Sequence, residues 1–245
     1  MNSNKSSHID LLSFSSADEL ARAAASAWLD EIETANRAGK LHCVALSGGR
    51  ITQKFFTETV AQAAARKTSF ANVHFFWADE RCLPPTDSES NFKLANDLLF
   101  TKLENISENQ IHRLRGEDST SAAVKNAESE LCRIAPRKNQ SPILDLVLLG
   151  MGEDGHVASL FPNAGPAILN CSAPFLAVVG SPKPPPTRIS LSYAAIAAAQ
   201  QVWTLVSGAG KADALRETLQ PDGQTPLARV IRSRTMTRIF SDLPK

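Results

Sequence analysis

The sequence predicts an α/β fold in which a mostly parallel sheet carries helices on both faces. Three observations point there. Short apolar runs of strand length alternate with longer stretches of helical periodicity, the runs end in glycine-rich or charged turns, and helix signals follow those turns. Ser16-Ala17-Asp18-Glu19 has the spacing of a capping box, so a helix is expected from there to about Arg37, with Gly39 ending it. Leu41–Leu46 reads as the first strand, followed by the turn Ser47-Gly48-Gly49-Arg50 and a helix through Phe55, Phe56, Val60 and Ala64. Val73–Ala78 reads as the next strand, ending in Asp79-Glu80-Arg81 and a proline-containing loop before a helix from Ser90 to Leu103. A helix over Ser121–Ile134 precedes the buried strand Leu144–Leu149. Later strands fall at Phe175–Val179, Arg188–Leu191 and Val202–Val206, with helices at Tyr193–Ala199 and Lys211–Leu219. Thr235–Phe240 reads as an edge strand. The sum is a Rossmann-like three-layer α/β/α sandwich.

Composition narrows the class. With 245 residues and 43% hydrophobic side chains the chain can bury a sizeable core, and a single domain over residues 1–245 is expected. The 26 basic and 25 acidic residues leave a formal charge of +1, which argues against general attraction to nucleic acid or membrane. Any anion site must be local. Cys43, Cys82, Cys132 and Cys171 are scattered without a Cys-x-x-Cys pair, so neither a zinc site nor a disulfide framework is suggested. The polar start, Met1 to His8, lacks the apolar segment of a secretory signal, and no apolar run approaches spanning length. A cytoplasmic protein, monomeric or a weak homodimer, is the expectation.

Several groups compete for the crevice at the carboxyl ends of the strands. Gly150-Met151-Gly152-Glu153-Asp154-Gly155-His156 delivers two acids and a histidine on a glycine-rich turn. Ser47-Gly48-Gly49 before a helix forms a cradle for phosphate, although it has neither the dinucleotide fingerprint nor the ending of a P-loop, which argues against a nucleotide. Arg50 adds a guanidinium suited to phosphate oxygens. Asp79-Glu80-Arg81 closes an aromatic strand, where partial desolvation strengthens its charges. Ser181-Pro182-Lys183-Pro184-Pro185-Pro186 is a stiff extended loop, and Lys183 and Arg188 flank its prolines. Arg50, Arg81, Lys183 and Arg188 gathered at one crevice on a near-neutral protein imply an anionic ligand.

These motifs carry a resemblance. Leu148 through Pro162, Asp79-Glu80-Arg81 with downstream Asp87-Ser88-Glu89-Ser90-Asn91, and Lys183-Pro184-Pro185 with Arg188 resemble the 6-phosphogluconolactonase family, in order and over most of the chain. The resemblance implies a fold related to glucosamine-6-phosphate deaminase and ribose-5-phosphate isomerase. It implies hydrolysis of 6-phospho-D-glucono-1,5-lactone to 6-phosphogluconate, the second step of the oxidative pentose phosphate pathway, with no required metal and no organic cofactor. By that analogy His156 is the general base that activates water, a task suited to an imidazole titrating near neutrality. Asp154 then orients the imidazole or stabilises its protonated form, and Arg81 or nearby N–H groups stabilise the oxyanion. Arg81 and Lys183, helped by Arg188 and the Ser47–Gly49 backbone, hold the phosphate. The family's first glycine motif commonly continues Ser-Thr-Pro where this chain has Arg50-Ile51-Thr52; phosphate binding has either shifted to Arg50 or weakened.

Three other readings fit the sequence less well. Glucosamine-6-phosphate deaminases continue Asp-Gly-His-Ile-Ala-Phe-Asn-Glu-Pro; here Phe161 replaces the glutamate, and Arg81 stands where that family carries tyrosine. A non-catalytic sugar-phosphate sensor would need a DNA-binding segment, whereas the residues before Leu41 read as one amphipathic helix. A serine hydrolase built on Ser159 lacks the Gly-x-Ser-x-Gly elbow, so Ser159 is expected to pack or to cap a helix. His42 and His112 read as structural, and the parts played by Glu80 and Glu153 stay open at this level.

Overall fold

The computed structural model describes residues 8–138 and 141–244; the first seven residues of the polar start lie outside that range. In chain order the elements are β1 (His8–Ser13), α1 (Ala17–Arg37), β2 (His42–Leu46), α2 (Arg50–Arg66), β3 (Val73–Trp77), β4 (Asp79–Arg81), α3 (Asn91–Ala95) and α4 (Thr120–Ile134). There follow β5 (Arg137–Lys138), β6 (Ser141–Pro142), β7 (Leu146–Gly150), α5 (Pro166–Leu169), β8 (Phe175–Val179) and β9 (Thr187–Leu191). The chain closes with α6 (Tyr193–Ala198), β10 (Gln201–Val206), α7 (Ala212–Thr218), α8 (Pro226–Arg232) and β11 (Met236–Ser241).

Six strands form a wholly parallel sheet in the order β1-β11-β10-β7-β2-β3. Its central strands are buried along their length, as the continuous apolar runs require. α1 starts as its sequence specifies: Ser16 Oγ accepts the N–H of Glu19 at 3.2 Å. Its apolar stripe, from Leu20 through Trp28 to Ile32, is buried. Trp28 anchors an aromatic cluster with Phe55, Phe70 and Phe75, and its Nε1–H donates to His42 Nε2 at 3.2 Å. At the amino ends of the strands, Cys43 N–H donates to Asp145 Oδ2 at 2.8 Å and ties β2 to β7.

The structure departs from the sequence reading in several places. The segment before Leu41 is a strand and a helix. β1 pairs with β11 from His8↔Met236 to Ser13↔Ser241, and the Asp10–Arg238 ion pair at 2.7 Å locks the register. Strand β11 is therefore interior, and β1 takes the edge that Thr235–Phe240 was expected to form; β1 is half-buried and lacks the apolar density that marks the central strands. Strands β8 and β9 leave the main sheet and pair antiparallel with β4, in the order β4-β9-β8. The helix expected over Ser90–Leu103 is a short α-turn continued by a π-type turn over Asn96–Phe100. Helix α8, begun by Thr225 and Pro226, was not anticipated.

The Trp28–His42 bond requires a neutral His42 acceptor. Burial pushes His42 down from 6.5 to about 4, so its contribution to stability is complete above the unfolded value and is lost as pH falls toward the folded one. Going from about pH 7 to pH 4.5, this group alone is expected to remove about 2 kcal/mol of unfolding free energy. Denaturant unfolding at both pH values should show a correspondingly smaller loss in His42→Gln; an equal loss would refute the assignment.

Candidate active site

The carboxyl ends of β2 and β7, together with β4, β9 and the turn after β10, border a solvent-open crevice of about 140 Å³. Ser47, Gly48, Gly49, Arg50, Arg81, His156 and Arg188, all singled out from sequence, line it together. Asp154 reaches it through His156, and Lys183 stands beside Asp154, Nζ to Oδ1 3.8 Å. Asp79 and Asn91, which belong to motifs singled out from sequence without a role of their own, line it too, and Lys211 is a lining residue that the sequence reading of the crevice missed. Lys211 carried a signal, since Ser207-Gly208-Ala209-Gly210-Lys211 repeats the strand, glycine turn and helix pattern used for the other segments.

The catalytic candidate is built by the turn after β7. Gly152 N–H donates to His156 O at 2.8 Å and Gly155 N–H to Gly152 O at 3.0 Å, curling the chain so that Asp154 and His156 meet. Asp154 Oδ1 lies 2.5 Å from His156 Nδ1. The approach depends on Gly152, because a Cβ there would fall 2.0 Å from Nδ1 and 2.6 Å from the Asp154 carboxylate. With Nδ1–H donating to the carboxylate, a neutral imidazole keeps its Nε2 lone pair for the crevice that the ring lines. Burial lowers the His156 pKa, outweighing the hydrogen bond and charge of Asp154, and Lys183 lowers it further. Burial raises Asp154, but its bond to His156, the charge of His156 and then that of Lys183 hold it below the ordinary carboxylate value. The pair is therefore an anionic carboxylate orienting a neutral imidazole at pH 7. Phe161 packs against the ring, centroids 4.7 Å apart.

The opposite wall is cationic. Helix α2 begins at Gly49 without a side-chain cap or an acidic residue in its first turn, leaving its amino-terminal N–H groups and dipole for an anion. Gly48 leaves room for Asn91, whose Oδ1 would lie 1.9 Å from a Cβ at that position. Thr52, in the place of the proline, donates its Oγ1–H to Gly48 O at 3.0 Å and braces the turn; of the two residues in the place of the hydroxyls, Ile51 is buried and Arg50 borders the crevice. Burial lowers the Lys211 pKa, and Arg50 adds to the fall; Glu153 and Asp242 oppose it. A bound anion would relieve that repulsion. Arg81 Nη1 donates to Glu89 O at 2.5 Å, whereas its buried Nε has no partner among the described residues.

Beneath the crevice lies a buried polar layer. Glu80 accepts the N–H groups of Arg81, Asn91 and Phe92 at 2.7, 2.9 and 2.8 Å and the Ser90 hydroxyl at 3.0 Å, so it anchors the start of α3. Burial raises its pKa against those donors. Ser159 caps no helix: its hydroxyl donates to Asp79 Oδ2 at 2.6 Å. Arg188 Nη1 lies 4.0 Å from the same oxygen. Glu153 is beside Gly210, near Lys211. His42 and His112 are packed elsewhere, His112 between His74 and Glu130.

Comparison with known proteins identifies relatives of the whole fold. A relative from Mycobacterium tuberculosis named 6-phosphogluconolactonase is 42% identical over 158 residues, 62% of this chain; the match spans 63% of that relative's length. One from Haemophilus influenzae with the same name is 34% identical over 81% of this chain and 84% of its own. The crystal structure of devB protein superposes with a TM-score of 0.85 at 30% identity, covering 96% of both chains. The family model for glucosamine-6-phosphate isomerases/6-phosphogluconolactonase matches residues 15–239. The chain belongs to the family of glucosamine-6-phosphate isomerases and 6-phosphogluconolactonases.

Proposed function

We propose that this protein hydrolyses 6-phospho-D-glucono-1,5-lactone to 6-phosphogluconate in the oxidative pentose phosphate pathway, with His156 as general base. The observation that carries the reading is the Asp154–His156 pair, 2.5 Å between Oδ1 and Nδ1, in a crevice lined by Arg50, Arg81, Arg188 and Lys211. Nε2 takes a proton from water as the oxygen attacks the lactone carbonyl, and the carbonyl π pair becomes an oxyanion. Arg81, whose side chain lines the crevice, is the donor for that charge. When the oxyanion collapses, the bond to the ring oxygen breaks, and that oxygen takes the proton back from the imidazolium. Asp154 keeps Nδ1 protonated and stabilises the imidazolium in between.

The phosphate, remote from the broken bond, is assigned to the Ser47–Gly49 turn, the start of α2, Arg50 and Lys211, with Lys183 at the rim. Binding energy gathered there positions the carbonyl and is available to the transition state. The four cysteines are free, which fits work in the reducing cytoplasm as a single-domain enzyme. Among the described residues no helix is long and apolar enough to cross a membrane.

Hydrolysis of freshly generated lactone, followed by coupled oxidation of 6-phosphogluconate and corrected for spontaneous opening, tests the assignment. The wild type should accelerate opening, and His156→Ala should lose roughly 10²–10⁴-fold in kcat. A wild type at the spontaneous rate rejects the activity; a fully active His156→Ala rejects the base.

The pH profile is a separate check. Because the base works unprotonated and burial lowers its pKa, kcat/KM should be level near neutrality and fall on acidification through a pKa below 6.5. An acid limb centred above 6.5 would contradict the buried, neutral imidazole.

A further inference from the structure

Between β8 and β9 the chain runs Ser181-Pro182-Lys183-Pro184-Pro185-Pro186. Prolines have no backbone N–H, so within this loop only Ser181 and Lys183 can donate from the main chain. The loop's carbonyls therefore draw most of their protein donors from side chains. Arg188 supplies them: Nη2 donates to Lys183 O at 3.2 Å and Pro184 O at 2.9 Å, and Nε to Pro185 O at 3.2 Å. Ser181 secures the loop from within. Its hydroxyl donates to Lys183 O at 2.8 Å and accepts the Lys183 N–H at 3.2 Å, while its own N–H donates to Pro186 O at 2.9 Å.

The guanidinium is itself anchored in the crevice floor. Nη1 points to Ser159 Oγ at 3.5 Å and to Asp79 Oδ2 at 4.0 Å, and the residue is only 4% exposed. Nε and both Nη2 hydrogens are thus committed to carbonyls and one Nη1 hydrogen to Ser159. A single hydrogen remains, too few for a bidentate grip on phosphate. The backbone of Lys183 is held by both Arg188 and Ser181, and its ammonium alone reaches out, 3.8 Å from Asp154 Oδ1.

We infer that Arg188 is a positioning residue that fixes the proline loop so that Lys183 stands beside the Asp154–His156 pair as a substrate-facing cation. This rests on the lactonase reading of the same crevice. Lysine at position 188 would keep a charge opposite Asp79, but one ammonium cannot reproduce a planar fork spanning three successive carbonyls. The charged groups acting on the imidazole are Asp154, Lys183 and Asp79. Of these, Lys183 lowers its pKa, so displacing that ammonium moves the acid limb of kcat/KM upward.

The test is a double-mutant cycle of Lys183→Ala and Arg188→Lys, read as KM and as the acid limb. Each single change is expected to raise KM about 10-fold and to move the acid limb upward. In the Lys183→Ala background, Arg188→Lys should change KM less than about 2-fold. Multiplying effects on KM, an unmoved acid limb in Arg188→Lys, or an indifferent Lys183→Ala would each overturn the inference. If Arg188→Lys does not fold, Ser181→Ala loosens the same loop without touching the buried pair. It should raise KM only while Lys183 is present, and an unchanged KM counts against the inference. A wild type without lactonase activity defeats the reading of the crevice; an active wild type with independent effects defeats only the role of Arg188.

Discussion

The crevice depends on two carboxylates buried side by side at Asp79 and Glu80, where the chain leaves the parallel sheet and enters the antiparallel one. Burying charge there would be prohibitive without partners. Glu80 is satisfied by four donors from β4 and the start of α3, and Asp79 by Ser159, Asn91 and the nearby Arg188. Three parts of the crevice wall are thereby fixed to one junction: Asn91 against Gly48, the loop after β7 through Ser159, and the proline loop through Arg188. The polar floor is preorganised by the same bonds that make its burial tolerable.

Charge is arranged locally against a nearly neutral whole. The formal charge of +1 gives no field over the surface, yet Arg50, Arg81, Arg188 and Lys211 line one crevice at an uncapped helix start. Asp79 offsets Arg188, leaving the other cations for an anionic ligand. Close approach is purchased with glycine. Gly152 admits the imidazole beside its carboxylate and Gly48 admits Asn91, so the Asp154–His156 pair and the turn before α2 both rest on a missing Cβ.

Much of this was legible in the sequence because it is local. The capping box at Ser16, the apolar strands and the glycine turns at Ser47 and Gly150 each declare themselves within a few residues, and the cations they deliver do meet. What was hidden is long-range. Strand β1 is recognisable only through its pairing with β11 over two hundred positions away in the chain, including Asp10 with Arg238. Nothing in Phe175–Val179 or Thr187–Leu191 says which sheet it joins; their partner is the three-residue β4, itself read as the end of a strand. Ser159 bonds to Asp79 across eighty residues, a link that spacing cannot reveal. Lys211 was legible by the rule applied elsewhere and was read only as the start of a helix.

The proposed mechanism requires Asp154 and burial to hold His156 as a neutral imidazole, protonated on Nδ1 and bare on Nε2. ¹⁵N NMR of histidine-labelled protein, with His156→Gln to assign the signal, reads tautomer and titration directly without substrate. The expected result is an Nδ1–H tautomer at neutral pH that gains its second proton below pH 6.5. A His156 protonated on Nε2 alone, or already an imidazolium at pH 7, would contradict the mechanism.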